Sequence, residues 1–244
     1  HQPDGNNPPG HSRQDTLRRA APKDFKIGSA VAGGGHHETQ DYPDPFTFDK
    51  EYRRLLGAEF SSVSPENQAK WEFIHPEPGV YRFAEMDAIV RFAQKNRQVV
   101  RGHTLFWHSQ NPQWLEQGDF SADELRAILK DHIQTVVGRY AGKIQQWDVA
   151  NEIFNDDGTL RTAENIWIRE LGPDIIADVF RWAHEADPSA KLFFNDFGVE
   201  DINAKSNAYL ELIAQLQAQG VPPVHADVDV GLHGDHPAQG TLAP

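Results

Sequence analysis

The chain's pattern predicts an α/β architecture, and within that class a (β/α)8-type barrel. Three observations lead there. Six strand-like runs alternate with helix-like runs along 244 residues, the rhythm of a parallel sheet. The segments bearing carboxylates, amides and tryptophans each follow a strand run, and a barrel gathers its chemistry at strand C-termini, which favours it over an open doubly wound sheet. No glycine fingerprint for phosphates appears: Gly33-Gly34-Gly35 follows a strand but lacks both the Gly-x-Gly-x-x-Gly spacing and a Lys-Ser/Thr. Six units are legible, whereas a closed barrel needs eight.

The elements follow in order. Residues 1–22 are polar and rich in Pro, Gly and Asn, with a basic patch at Arg18 and Arg19. They are expected to be a loose lead-in, at most a docking arm. The barrel domain is taken as residues 23–244. Its first strand is predicted over 25–31 and its first helix over 48–56. The second strand covers 59–63, with a helix over 84–96. The third covers 98–104, and its helix, 121–140, opens on the capping box Ser121-x-x-Glu124. The fourth strand, 144–149, is short and buried in pattern. Helices follow over 165–171 and 173–186, where Pro173 suits a first helical turn. The fifth strand is 191–194, and its helix, 203–219, ends at Gly220. A sixth strand runs over about 224–232. Residues 236–244 read as coil.

Composition removes several functional classes. The chain is 39% hydrophobic and 24% charged, so it can build a core. Its net charge of −13 opposes a nucleic-acid or anionic-membrane partner, since both select basic surfaces. No apolar run is long enough to span a bilayer. There is no cysteine, which excludes disulfide and thiolate chemistry. The first residue is His1 rather than Met, expected of a processed or trimmed N-terminus.

The densest chemistry lies at 145–154, Gln-Gln-Trp-Asp-Val-Ala-Asn-Glu-Ile-Phe. This strand delivers Asn151 and Glu152 at its C-terminal end. Glu152 is the best general-acid candidate, because Trp147, Ile153 and Phe154 could desolvate it and lift its pKa toward the working pH. The plainer alternative is a carboxylate complementing a helix dipole. After the second strand come Glu66, Asn67, Lys70 and Trp71. Such a group can bind several sugar hydroxyls while a ring packs on the pyranose face; alternatively it is a capped turn with Trp71 in the core. After the third strand, His103 can donate to a hydroxyl, Trp107 can act as a sugar platform, and Gln110 adds a donor and acceptor; both rings could equally be core. Asn195 and Asp196 end the fifth strand in the same register and could line a pocket floor, or form a turn. A metal site is weighed at His225, Asp227, Asp229, His233, Asp235 and His236, with His103 and His108 as a further pair. No His-Glu-x-x-His motif supports it, and a polar strand and tail is the default.

Together these motifs closely resemble glycoside hydrolase family 10, the endo-1,4-β-xylanases. The matching pieces are residues 25–31, 66–72, 102–110, 147–152 and 195–196, so the resemblance covers about residues 23–221. It implies an eight-stranded TIM-type barrel that hydrolyses internal β-1,4 bonds of xylan with retention, without metal or organic cofactor. By position, Glu152 is implied as acid/base and Asn151 as the contact to a sugar 2-hydroxyl. His103 and Trp107 are implied as walls of the −1 subsite, and Glu66, Asn67, Lys70 and Gln110 as glycone-side contacts. Trp147 is expected to support its strand.

The sequence departs from the family at its C-terminus. No Thr-Glu-Leu-Asp-like motif bearing the nucleophile follows Leu232, and the aromatic residues expected after an eighth strand do not occur. Residues 231–235 stand where a Gly-Leu-Gln-x-His pattern would be expected, which leaves His233 and Asp235 as uncertain pocket residues. A barrel shortened in this way would leave open edges beside strands one and six. The expectation is a secreted, monomeric xylanase-type hydrolase acting on xylan or xylo-oligosaccharides. The alternatives are a non-catalytic xylan-binding protein or, less favoured, a metal-dependent hydrolase.

Overall fold

The structure, a computed structural model, describes residues 15–35, 44–232 and 236–242, with side chains up to residue 226. Seven strands form one sheet in chain order: β1 (Gly28–Val31), β2 (Ser62–Pro65), β3 (Val99–Phe106), β4 (Gln146–Asn151), β5 (Lys191–Phe197), β6 (Val224–Leu232) and β7 (His236–Leu242). The first six pair in parallel. Crossover helices explain this, because parallel neighbours need a long connection. The helices are α1 (Leu17–Ala20), α2 (Pro45–Phe48), α3 (Lys50–Glu59), α4 (Trp71–Ile74), α5 (Ala84–Lys95), α6 (Gln113–Glu116), α7 (Ala122–Arg139), α8 (Ile166–Leu171), α9 (Ile175–Ala186) and α10 (Ala204–Ala218). No described helix is long and apolar enough to cross a membrane.

Two expectations are corrected at the C-terminus. Residues 236–242 are not coil; they form β7, antiparallel to β6. The edge expected beside the sixth strand is therefore covered. An antiparallel return needs only a short link, and β6 presents a row of backbone groups ready to pair. Pro237 is tolerated because β7 is itself an edge strand. Among the described residues β1 pairs only with β2, so the sheet is not closed.

Several strands run further than their apolar pattern indicates. β3 continues to Phe106, β4 to Asn151 and β5 to Phe197. The added residues of β3, Leu105 and Phe106, are apolar and buried in the core, whereas β4 and β5 keep polar ends in the sheet because Asn151 and Asn195 are partners in register. The short helices α2, α4 and α6 have too few residues to show a helical period. The capping box of α7 is present in full: Ser121 Oγ accepts from Glu124 N at 3.2 Å, and Glu124 accepts from Ser121 N at 3.1 Å.

The N-terminal segment docks through Leu17, whose N donates to Glu59 Oε2 at 2.7 Å, and through Arg18. Arg18 donates to the Gly57 carbonyl at 3.0 Å, Asn96 O at 2.8 Å and Arg97 O at 3.1 Å. These carbonyls lie at the C-terminal ends of α3 and α5, where a cation is favoured. Residues 1–14 lie outside the described residues.

The core lies between the sheet and its helices. Trp147, Val149, Leu192 and Phe194 from β4 and β5 are buried with Leu129, Ile133 and Val136 of α7 and with Ile176, Val179 and Phe180 of α9. Gly102 lies beside Trp147 in register, and only a residue without Cβ lets that indole pack on β3. Register also pairs His103 with Asp148 and Asn151 with Asn195. The polar C-terminal ends of three strands thus meet at one place.

Candidate active site

The site begins with a buried ionic frame. Asp148 on β4 is 1% exposed. Its Oδ1 accepts from Arg101 Nε at 2.8 Å and also from Arg101 Nη2, and its Oδ2 sits 2.8 Å from His103 Nδ1. Thr104 Oγ1 donates to the Asp148 carbonyl at 2.9 Å. Burial alone would raise the Asp148 pKa, but Arg101 and His103 outweigh it and hold the carboxyl below its ordinary value. Arg101 and His103 sit two residues apart on a strand and so face the same side. With Nδ1 committed to Asp148, His103 presents its Nε2 edge to a ligand.

Trp107 and Lys70 form the next wall. The Trp107 ring stands 6.3 Å from the His103 ring, tilted by 53°. Lys70 Nζ lies 5.2 Å from the Trp107 centroid. It donates to Asn67 Oδ1 at 3.0 Å and to Gln110 Oε1 at 2.7 Å. Gln110 Nε2 donates onward to Glu72 Oε1 at 3.0 Å. Burial lowers the Lys70 pKa, against the charges of Glu66, Glu72 and Glu152. Asn67 is buried, and its Nδ2 donates to the carbonyls of Gly33 at 3.1 Å and Gly34 at 3.4 Å. Glu66 Oε2 accepts from Gly33 N at 3.2 Å. Glu66 and Asn67 are therefore held against the loop after β1, beside Lys70 and Gln110.

Glu152 lies immediately after β4, with φ of +52°. This left-handed conformation is strained for a residue with a side chain. Backbone bonds on both sides hold it: Glu152 N donates to Asn195 O at 2.8 Å, and Arg161 Nε donates to Glu152 O at 3.0 Å. Its carboxyl accepts a hydrogen bond from the Trp107 side chain. Burial raises the Glu152 pKa and the charge of Asp196 adds to that; the Trp107 N–H, Arg161 and His103 oppose it. With the Asn151 amide oxygen facing Trp107, it accepts from Nε1 at 3.3 Å and its nitrogen donates to Asn195 O at 3.0 Å. Asn151, Asn195, Trp107 and Glu152 are thus one hydrogen-bonded group.

The sequence motifs conceal several of these contributors. Asp148 and Arg101 lie in or beside the motif segments, where neither stands out as a site residue. A signal existed, since Arg101-x-His103 puts a cation and an imidazole on one strand face. Arg161, from a loop, and Lys205 and Tyr209, which reach Asp196 from α10, carry no local signal. Trp71 belongs to the core, with its Nε1 donating to Leu105 O at 2.7 Å. It stacks on His132 at 3.5 Å, and His75 Nδ1 meets His132 Nδ1 at 2.9 Å. Among the described residues no group of three or more His, Cys, Asp or Glu is arranged to hold a metal. His233 and Asp235 lie outside the described residues, and so do the side chains of Asp227, Asp229 and His236.

Comparison with known proteins bears on this arrangement. A family model described as Glycosyl hydrolase family 10 matches residues 16–234. An endo-1,4-beta-xylanase B of Thermotoga neapolitana is 46% identical over 173 residues, which is 71% of this chain and 49% of that protein. A beta-1,4-xylanase of Dictyoglomus thermophilum is 46% identical over 183 residues, 75% of this chain and 50% of that protein. The chain spans about half the length of these curated relatives. Xylanase 10B of Thermotoga maritima superposes with a TM-score of 0.79 at 39% identity, covering 88% of this chain and 63% of that one. Xylanase 10B of Thermotoga petrophila, solved in complex with xylobiose, gives 0.77 at 31%, covering 93% and 78%.

Proposed function

The chain belongs to glycosyl hydrolase family 10, and from that premise we propose that it is an endo-1,4-β-xylanase using Glu152 as its general acid/base. One observation carries the assignment. Glu152 is held in a left-handed turn at the end of β4, with a proton affinity raised by burial and by Asp196. A carboxylic acid with raised proton affinity keeps its proton to higher pH and can give it to a leaving oxygen. The substrate class is supported by the xylanases similar to the chain, one of them solved with xylobiose.

The reaction proposed is double displacement. Glu152 gives its proton to the glycosidic oxygen as a second carboxylate bonds to the anomeric carbon and the C–O bond breaks. Ionised Glu152 then takes a proton from water, which attacks that carbon and releases the second carboxylate. Asn151 holds the 2-hydroxyl of the −1 sugar, His103 and Trp107 wall that subsite, and Lys70 and Gln110 bind on the glycone side. The second carboxylate is assigned outside the described residues. Asp148 is locked between Arg101 and His103, and Asp196 between Tyr209 and Lys205. We place the enzyme outside the cell, because a polymer does not cross the membrane, and treat it as a monomer.

The test is reducing-end release from β-1,4-xylan by the chain of confirmed intact mass, beside Glu152→Gln. Turnover that the variant loses by about two to four orders of magnitude supports the assignment. Turnover equal in both refutes the role of Glu152. Xylan bound without turnover by either protein supports the binding-protein alternative. Light scattering tests the monomer, and partition of the protein between medium and cells of its source tests secretion.

A further inference from the structure

Behind Glu152 lies a buried set of groups that the hydrolytic step does not use. Lys205, in the first turn of α10, is 1% exposed. Its ammonium reaches Asp156 Oδ1 at 2.9 Å, Asp196 Oδ1 at 3.3 Å and the Phe197 carbonyl at 3.1 Å. Tyr209 follows four residues later, on the same helix face. Its hydroxyl donates to Asp196 Oδ2 at 2.6 Å and accepts from Ile153 N at 3.3 Å. The capping box of Asn203 and Ser206 fixes the start of α10, and Phe154 packs edge-on against the Tyr209 ring at 4.7 Å.

The chain of bonds ends on the peptide that follows Glu152. That peptide helps hold a conformation which a residue with a side chain adopts only when its surroundings impose it. Of the two carboxylates that Lys205 faces, Asp156 is exposed to solvent and Asp196 is buried, and Tyr209 links the buried one to the backbone N–H of Ile153.

We propose that Lys205 and Tyr209 are positioning residues that act through Asp196, fixing the Ile153 peptide behind Glu152 and keeping a negative charge beside its carboxyl. This rests on Glu152 being the acid/base. The other groups that face it are Trp107, Arg161, His103 and Lys70. Burial raises the Asp196 pKa, while Tyr209 and Lys205 oppose the rise. Removing the Tyr209 hydroxyl lets Asp196 take a proton at higher pH, and its field on Glu152 then weakens where Glu152 titrates.

The test is a carbon-13 carboxyl NMR titration of the whole chain. In the wild type the Glu152 midpoint is expected above the ordinary 4.5, with a second inflection in its shift where Asp196 titrates. The midpoint moves down in Asp196→Asn and in Tyr209→Phe. In Tyr209→Phe the Ile153 amide also exchanges faster with solvent, and in Lys205→Met the Asp196 midpoint rises. A Glu152 midpoint unchanged in both Asp196→Asn and Tyr209→Phe overturns the proposal. Should a variant lose amide dispersion, the wild type decides, because a Glu152 curve with no inflection at the Asp196 midpoint also overturns it. None of these readouts needs turnover, so failure to hydrolyse xylan and failure of this proposal are separate results.

Discussion

Substituting Gly102 by Ala tests the packing that carries the site. A Cβ at this position would lie 2.2 Å from Trp147 Cε3, 2.3 Å from Cζ3 and 2.7 Å from Cδ2. Carbon atoms rest about 3.5–4.0 Å apart, so the indole must retreat by roughly 1.3 Å or β3 must move. Trp147 is fully buried, and a close-packed interior has little room to accept it. Overpacking of this kind costs about 1–3 kcal/mol. Gly102 does not lie in the left-handed region, so backbone entropy alone would make the same change stabilising by about 0.4–1 kcal/mol. Crowding and backbone entropy therefore predict opposite signs. Urea unfolding followed by circular dichroism, with matched slopes, separates them. Gly138→Ala is the control, since Gly138 is exposed on α7 and a Cβ added there would meet nothing within 4 Å; that variant gains up to about 1 kcal/mol. A Gly102→Ala chain as stable as the wild type refutes the crowding of Trp147 as the deciding effect. Because Asp148 follows Trp147, the displaced strand should also loosen the contacts to Arg101 and His103.

Three further outcomes are expected. Asp148→Asn leaves the Arg101 guanidinium buried without its counter-charge, and denaturant unfolding should show a loss of about 3–5 kcal/mol. The buried His75 and His132 pair makes the fold acid-sensitive. Burial lowers the His75 pKa to about 4 against the nearby charge of Asp131, and burial with the neighbouring His75 holds His132 well below its ordinary value. Both are neutral when folded, so their stabilisation is complete above about pH 6.5 and is lost as pH falls toward 4; His75 alone contributes about 3 kcal/mol over that window. Urea midpoints that do not fall between pH 7 and pH 4.5 contradict this, and a His75→Asn chain should fall less steeply. Ser121→Ala removes the α7 cap, and a loss near 1 kcal/mol is expected in the same unfolding assay.

The fold was legible in the sequence wherever the signal is local and repeats. The alternation of strand and helix runs, the Ser121 capping box and the ending of the last helix before Gly220 depend on near neighbours, and the elements lie within a few residues of their expected places. The main failures sit where pairing competes with pattern. β3 runs on into the buried Leu105 and Phe106, β4 and β5 extend into Asn151 and Asn195, which pair in register, and residues 236–242 became a strand because β6 offered an edge. Short helices such as α4 and α6 leave no period to read.

The site divides along the same line. Sequence alone determined which residue types gather at the candidate site, because Asn151, Glu152, His103 and Trp107 sit at or beside strand ends and a strand end delivers its side chains to one rim. Only the tertiary structure decided what those side chains can do. Asp148 became a locked anchor rather than an available carboxylate through Arg101 and His103, and Glu152 acquired its raised proton affinity from burial and from Asp196. Lys205 and Tyr209 stand more than 50 residues from Glu152 in the chain, yet their bonds end on the peptide beside it. Charge and desolvation act through space, so a linear motif can name a candidate acid but cannot hold the field that tunes it.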